Sequence, residues 1–358
     1  MEREVLKETS RMVVKFGTGI LTSRSKQIDP GQIEQLVAQV AAQRQAGREI
    51  IVVSSGAVGA GMGVLAMDKR PTDLSDLQAC AAVGQSQLMS TYSELFARHN
   101  MQVAQVLLTH DDLEDKDRHL NARNTLVSLL DKGVVPIVNE NDAVSYTELK
   151  FGDNDWLAAL VACLLPADLL VILTTVDGLV ENFGKKKPST IPLVEKIDAD
   201  IQKLAGGTLS ATAIGGMQAK LRAARMTART GIPMVIASGQ KKRTLANILG
   251  GQDEGTFFVP RPGRLKGRKR RIAFFHHPKG SLWVDNGARD ALRDKGKSLL
   301  PPGVARCNGD FARGDVVRIC DLNGTEFSRG ISRFDADEIR ARKLKGIEIV
   351  HRNDLVIL

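Results

Sequence analysis

Aromatic side chains are scarce, at 4% of 358 residues. So thin a supply argues against a stacking platform for single-stranded nucleic acid, where successive bases lie on aromatic faces. Cysteine is rarer still. Cys80, Cys163, Cys307 and Cys320 show neither the paired spacing of a metal site nor a disulfide framework. All four read as buried small hydrophobes in a reduced, cytoplasmic protein. Long apolar runs are missing as well. The longest covers residues 157–173, where Pro166 and Asp168 interrupt it, and each half is too short for a bilayer. The opening MEREVLKETSRMVV carries charges where a secretory leader needs an apolar core, so neither leader nor membrane anchor is expected.

What remains is an ordinary globular composition, 25% charged, in a chain long enough for two domains. The formal net charge of +9 suits either a polyanionic partner or an enzyme that handles phosphates. Short apolar runs at residues 12–16, 50–53, 103–108, 134–138, 169–173 and 234–237 read as buried strands. Helical patterns separate them, notably 74–98, 154–165 and the spaced Ile33, Leu36, Val37 and Val40, which Gly47 is placed to end. Continuous apolar strands alternating with helices predict an α/β fold, a mainly parallel sheet sandwiched by helices. Such sheets bind ligands beyond the carboxyl ends of their strands.

Near residue 260 the pattern changes. Arg261, Arg264, Lys266, Arg268, Lys269, Arg270 and Arg271 form a basic run with proline and glycine, read as a solvated linker rather than a binding patch. Beyond it, residues 315–320 and 326–331 flank Asn323-Gly324, a strong hairpin signal. A small β-rich domain is expected there.

The chemically informative residues cluster at predicted strand ends. Lys15 sits within the first apolar strand, just before Gly17-Thr18-Gly19. A buried ammonium needs an anion, and glycine lets backbone amides approach one closely. Taken alone, Lys15 reads equally well as a lysine reaching solvent at a strand edge. Ser54-Ser55-Gly56-Ala57-Val58-Gly59-Ala60-Gly61 follows the second strand, where small residues leave room for a ligand and offer donors. Asn139-Glu140-Asn141-Asp142 and Gly152-Asp153-Asn154-Asp155 bring carboxamides and carboxylates suited to an amino acid's ammonium and carboxylate. Each residue singly also fits a turn or helix cap. Thr174-Thr175-Val176-Asp177-Gly178 ends another buried strand. Gly215-Gly216-Met217-Gln218-Ala219-Lys220 reads as a turn opening a helix, which would make an anion site at its N-terminus. Neither the P-loop spacing nor the dinucleotide fingerprint is present.

In order, VVKFGTG, SSGAVGAG, AAVGQSQL, LNARNTL, VPIVNENDAV, FGDND and GGMQAKL resemble the amino acid kinase family over nearly the whole chain. The tail SLLPPGVARCNGDFARGDVVRIC looks like the PUA domain that follows the kinase domain in the family's glutamate kinases. The resemblance implies a kinase domain over residues 1–262 and a PUA-like domain over 272–358. It implies ATP-dependent phosphorylation of the γ-carboxylate of L-glutamate, the first step of proline biosynthesis. A carboxylate is already ionised at neutral pH, which fits the lack of any Ser/His/Asp or Cys/His arrangement. Lys15 and Lys220 match the family lysines that neutralise the transferring phosphoryl group, and Asp155 the acid that holds them. Ser55, Asp142 and Asn154 match glutamate-binding positions. Lys15, Thr174, Thr175, Gly215, Gly216, Met217 and Lys220 match the nucleotide site. Mg2+ would accompany ATP through phosphate oxygens and water, with no protein metal cage. A homo-oligomer, feedback inhibition by proline and hand-off to glutamyl phosphate reductase are also implied.

Two departures fall at the nucleotide end: Thr175 stands where relatives often carry an acid, and Ala213-Ile214 where they carry Gly-Thr. The rival reading, from the PUA-like tail, the basic run and the net charge, is an RNA-binding or RNA-modifying protein. Against it, the larger domain carries the full ordered kinase set. RNA binding by the tail stays open as a secondary property.

Overall fold

The computed structural model describes residues 2–22, 28–145, 154–181, 188–205, 211–261, 265, 267–342, 344 and 346–358. Phe151, Gly152 and Asp153 of the FGDND segment, and Arg264 and Lys266 of the basic run, lie outside them. The chain divides into two units, residues 1–263 and 264–358.

The first unit is built on β1 (Arg11–Phe16), β2 (Glu49–Val53), β3 (Val103–Leu108), β4 (Val135–Glu140) and β5 (Leu169–Thr174). A two-stranded hairpin follows, β6 (Val180–Glu181) with β7 (Ser189–Thr190), then β8 (Leu193–Val194), β9 (Met234–Ser238) and β10 (Thr256–Phe258). Eight of these make one sheet in the order β3-β4-β2-β1-β5-β9-β10-β8. All neighbours are parallel except β9 and β10. The chain fills the β2 side of β1 first and then returns to its other side with β5. That reversal makes the carboxyl ends of β1, β2 and β5 the expected place for a ligand.

The period-two alternation of β1 decides where its lysine goes. Met12, Val14 and Phe16 face one way, into a core with Ile33, Leu36, Val37 and Val40 of helix Pro30–Gln45 and Leu88, Tyr92, Leu95 and Phe96 of helix Leu74–Ala97. Each such side chain contributes on the order of 1.5–3 kcal/mol over exposure, enough to fix which face is which. Lys15 must then point to the opposite face. There helix Asn154–Leu164 packs on β1 and against helix Ala211–Arg229. Residues 155 and 157–164 are all buried, as expected for a helix apolar on every side.

Two glycines in the motifs act through packing. A Cβ on Gly61 would lie 1.8 Å from the Cys80 carbonyl oxygen, and one on Gly84 the same distance from that of Ala57. Helix Ala57–Val64 and helix Leu74–Ala97 therefore meet backbone to backbone. Gly61 was read as making room for a ligand; it makes room for a helix.

The second unit is a five-stranded sheet of β11 (Gly280–Val284), β12 (Val304–Gly309), β13 (Val316–Cys320), β14 (Glu326–Ile331) and β15 (Leu355–Ile357), in the order β12-β11-β13-β14-β15. Leu282, Val284, Leu292, Val317, Ile319 and Val350 centre its own core. The β13–β14 hairpin forms as its Asn-Gly signal predicts, with Gly324 at φ +87° and Asp321 Oδ1 accepting from the amides of Asn323 and Thr325 at 2.9 Å.

The basic run departs from its reading as a solvated linker. Helix Gly267–Phe274 takes up most of it and belongs to the second unit, which thus includes residues before 272. Ile272 and Ala273 are buried against Val316 and Val356, and Arg268 pairs with Asp354 at 2.7 Å. Charge density alone marked the segment as solvated. Apolar residues at its far end dock the helix and leave Arg268 and Lys269 on the exposed side.

Candidate active site

Asp155 is the centre of the site. It is 0% exposed, in the first turn of helix Asn154–Leu164, where an acid also complements the helix dipole. Lys15 Nζ lies 2.6 Å from its Oδ1, and Lys220 Nζ donates to its Oδ2 at 2.8 Å. Lys15 comes from β1 and Lys220 from helix Ala211–Arg229, and both are nearly enclosed, 4% and 8% exposed. Burial opposes ionisation of Asp155, but Lys15 and then Lys220 outweigh it and hold the carboxyl below its ordinary value. Two ammonium groups on one carboxylate leave an excess positive charge, which calls for a second anion.

A second polar cluster joins the ends of β2 and β4. Asn154 Nδ2 reaches Ser54 O at 2.5 Å, Asn139 Oδ1 at 2.7 Å and Ser55 Oγ at 3.1 Å. An amide nitrogen has two hydrogens, so this group is fully used within the protein, and the carbonyl oxygen is what Asn154 can offer a ligand. Asn139 is engaged as well: its Oδ1 also accepts from Glu140 N at 2.9 Å and its Nδ2 donates one hydrogen to Gln85 Oε1 at 2.8 Å. The adjacent serines divide their work. Ser54 Oγ lies 2.8 Å from the buried Tyr92 hydroxyl, facing the core. Ser55 lines a cavity.

That cavity, about 570 Å³, is of the size usual for small-ligand sites. Its wall brings together Lys15, Ser55, Asp142, Asn154, Thr174, Thr175, Gly216, Met217 and Lys220. Asp155 is not in the wall itself but lies behind the two lysines. Glu140 and Asp142 are the carboxylates of the wall among the described residues. Gly215 and Gly216 also depart from their reading as a turn that opens a helix. Both lie inside helix Ala211–Arg229, whose packing outweighs a cost of about 1 kcal/mol per glycine. Gly216 instead accepts from Lys220 Nζ through its carbonyl at 3.3 Å. Arg70, Leu77 and Leu204 also line the cavity, and no motif in the sequence marks them. Arg70 stands in an aperiodic Asp-Lys-Arg-Pro stretch that gives no sign of facing a ligand.

Comparison with known proteins follows the same division. The sequence profile of the amino acid kinase family matches residues 10–238, and that of the PUA domain matches residues 280–352. A glutamate 5-kinase of Geobacter sulfurreducens is 44% identical over 373 aligned positions, spanning 100% of both chains. Proteins of the same name from Pelobacter propionicus and Methylococcus capsulatus are 42% and 44% identical, over 100% and 99% of each chain. Among solved structures, carbamate kinase from Giardia lamblia bound to AMP-PNP has a TM-score of 0.53 at 21% identity. It covers 71% of this chain and 99% of its own, a likeness of fold.

Proposed function

The chain belongs to the amino acid kinase family, and from that premise we propose that it phosphorylates the γ-carboxylate of L-glutamate with ATP. The product is L-glutamyl 5-phosphate, which begins proline biosynthesis. Full-length similarity to proteins named glutamate 5-kinase supports this reading. The single observation that carries the chemistry is the pair of lysines fixed on buried Asp155 at the wall of one cavity.

In the transfer, a γ-carboxylate oxygen bonds to the γ-phosphorus as the bond to the β,γ-bridging oxygen breaks. ADP leaves with that electron pair. No proton moves, because the carboxylate is ionised at neutral pH. The protein's work is alignment and charge. Lys15 and Lys220 stabilise negative charge as it shifts toward the leaving oxygens, an effect worth more in a site shielded from water. Asp155 is a positioning residue that keeps both lysines aimed. Asp142 takes the substrate ammonium, with Ser55 and the Asn154 carbonyl beside it. Thr174, Thr175, Gly215, Gly216 and Met217 form the nucleotide end.

Mg2+ would supply further charge neutralisation on the phosphates. Asp155 has both oxygens on lysines, so it is not a candidate ligand, and the ion would be held by phosphate oxygens and water. Proline, which shares the α-amino acid framework, would compete at Ser55, Asp142 and Asn154. An acyl phosphate hydrolyses readily, which favours direct hand-off to a glutamyl phosphate reductase. We also propose a homo-oligomer by family resemblance and a cytoplasmic location. None of the four cysteines forms a disulfide, which accords with that location. The PUA match and the net charge support RNA binding by the second unit as a secondary property.

The test is a screen of the purified protein with MgATP and a panel of carboxylic amino acids, trapping acyl phosphates with hydroxylamine. Glutamate should give the highest turnover. Equal or faster reaction with aspartate or N-acetylglutamate overturns the assignment.

A further inference from the structure

Resting on the kinase reading of this cavity, we propose that Lys241 is a positioning residue for the nucleotide, fixing the wall formed by residues 174–180. Six of those seven residues line the cavity: Thr174, Thr175, Val176, Gly178, Leu179 and Val180. Asp177 alone does not, and its Oδ1 lies 2.9 Å from Lys241 Nζ. Lys241, just past β9, takes no part in the cavity lining either.

The other end of the bridge is firmly held. Lys241 Nζ donates to Glu254 Oε1 at 2.8 Å, and Glu254 Oε2 accepts from Asn247 Nδ2 at 3.0 Å. The turn carrying Glu254 is tied by buried Arg3, which donates to the carbonyls of Gln252, Glu254 and Gly255 at 2.9–3.0 Å. Glu254 and then Asp177 raise the Lys241 ammonium above its ordinary value, so the bridge stays charged through neutral pH.

A second clamp holds the same wall. Thr256, fully buried, accepts from Leu179 N at 2.8 Å and donates to Ile191 O at 2.6 Å. Between the clamps lies Gly178, at φ +153°, where a Cβ would come within 2.5 Å of Thr256 Oγ1. The wall is therefore fixed at Leu179 from the core and at Asp177 from outside the cavity. β5 and β9 lie on one side of β1, whereas Ser55, Asn139 and Asp142 follow or end β2 and β4 on the other. Lys241 thus acts on the nucleotide end and not on the acceptor end.

The test uses the full chain and four variants: Lys241→Ala, Asp177→Asn, the double variant and Lys241→Arg. Lys241→Ala should raise the KM for ATP about threefold to tenfold, the range of coupling expected within one charged network. The kcat and the glutamate KM should stay within about twofold. Asp177→Asn should reproduce part of the rise, the double variant should add nothing to Lys241→Ala, and Lys241→Arg should restore most of the affinity. Asp177 is exposed, so its variant carries the test even if Lys241→Ala folds poorly. An active wild type whose ATP KM is unmoved by Asp177→Asn and Lys241→Ala overturns the inference alone. So do strictly additive effects, or an equal rise in the glutamate KM. A wild type with no MgATP-dependent hydroxamate formation removes the kinase reading and this inference together.

Discussion

Replacing Asp155 with asparagine deletes one charge and leaves two buried ammonium groups facing each other. Lys15 and Lys220 are 4% and 8% exposed, so water cannot take over the role of the carboxylate. Removing one partner of a buried ion pair costs about 3–5 kcal/mol, and here two cations lose theirs. A unit of this size shifts by about 2–4 °C per kcal/mol. Asp155→Asn should therefore melt roughly 6–20 °C below wild type in a thermal scan. Saturating ATP should recover part of the loss, because the nucleotide's phosphates supply the missing anion and bind only the folded state. The triple variant Lys15→Met, Asp155→Leu, Lys220→Met, with no buried charge, should melt near wild type and be inactive. A melting temperature for Asp155→Asn within about 2 °C of wild type refutes the charge argument, and with it the positioning role.

Lys15→Ala and Lys220→Ala should each lower kcat about 10²–10³-fold with little change in substrate KM, since each removes stabilisation that grows toward the transition state. Steady-state hydroxamate assays check this, and near wild-type turnover in either withdraws its role. Asp142→Ala and Asn154→Ala should act mainly on the glutamate KM. Asn154→Ala should also lower stability, because its amide fastens the ends of β2 and β4. The native pKa of Asp155 lies below its unfolded value. Its stabilisation is therefore complete above the unfolded pKa, about 3.9, and lost as pH falls through the native one. Unfolding followed from pH 7 into that acid range should show wild type losing more stability than Asp155→Asn, and parallel curves count against the linkage.

Single residues were legible in the sequence where one strand or helix explains them. Lys15 stood out because an ammonium inside a buried strand is costly, and Asn154-Asp155 because a carboxamide and an acid open an apolar helix. The meeting of Lys15 and Lys220 on Asp155 followed from the family resemblance alone, since no periodicity or spacing in the sequence brings the three together. It depends on β1 lying at the centre of the sheet and on which helices cover its second face. The same limit explains Gly61 and Gly84: two Gly-rich segments look alike whether the close neighbour is a ligand or another backbone. Gly215-Gly216 was misjudged for a related reason, since intrinsic propensity places a break there and packing overrides it. β8 and β10 are two and three residues long, too short for any period to show. Arg268 to Arg271 were counted as charges, whereas their helix is settled by Ile272 and Ala273, which follow them.

The buried triad links stability to chemistry. One carboxylate between two ammonium groups is a net charge of +1 held out of water, an arrangement that is costly by itself. A fold stabilised for its own sake would do as well with apolar residues there. On the proposed reading, what this one gains is a pair of cations whose positions are set before substrate arrives, so that little reorganisation is needed when phosphoryl charge builds up between them. Asp155 reduces the repulsion enough for the unit to fold, without neutralising both lysines. On that reading the positive charge of the two lysines is what the site offers the nucleotide's phosphates. On this view ATP binding and folding draw on the same electrostatic imbalance, and a variant that relieves it with apolar residues keeps its stability only by losing the reaction.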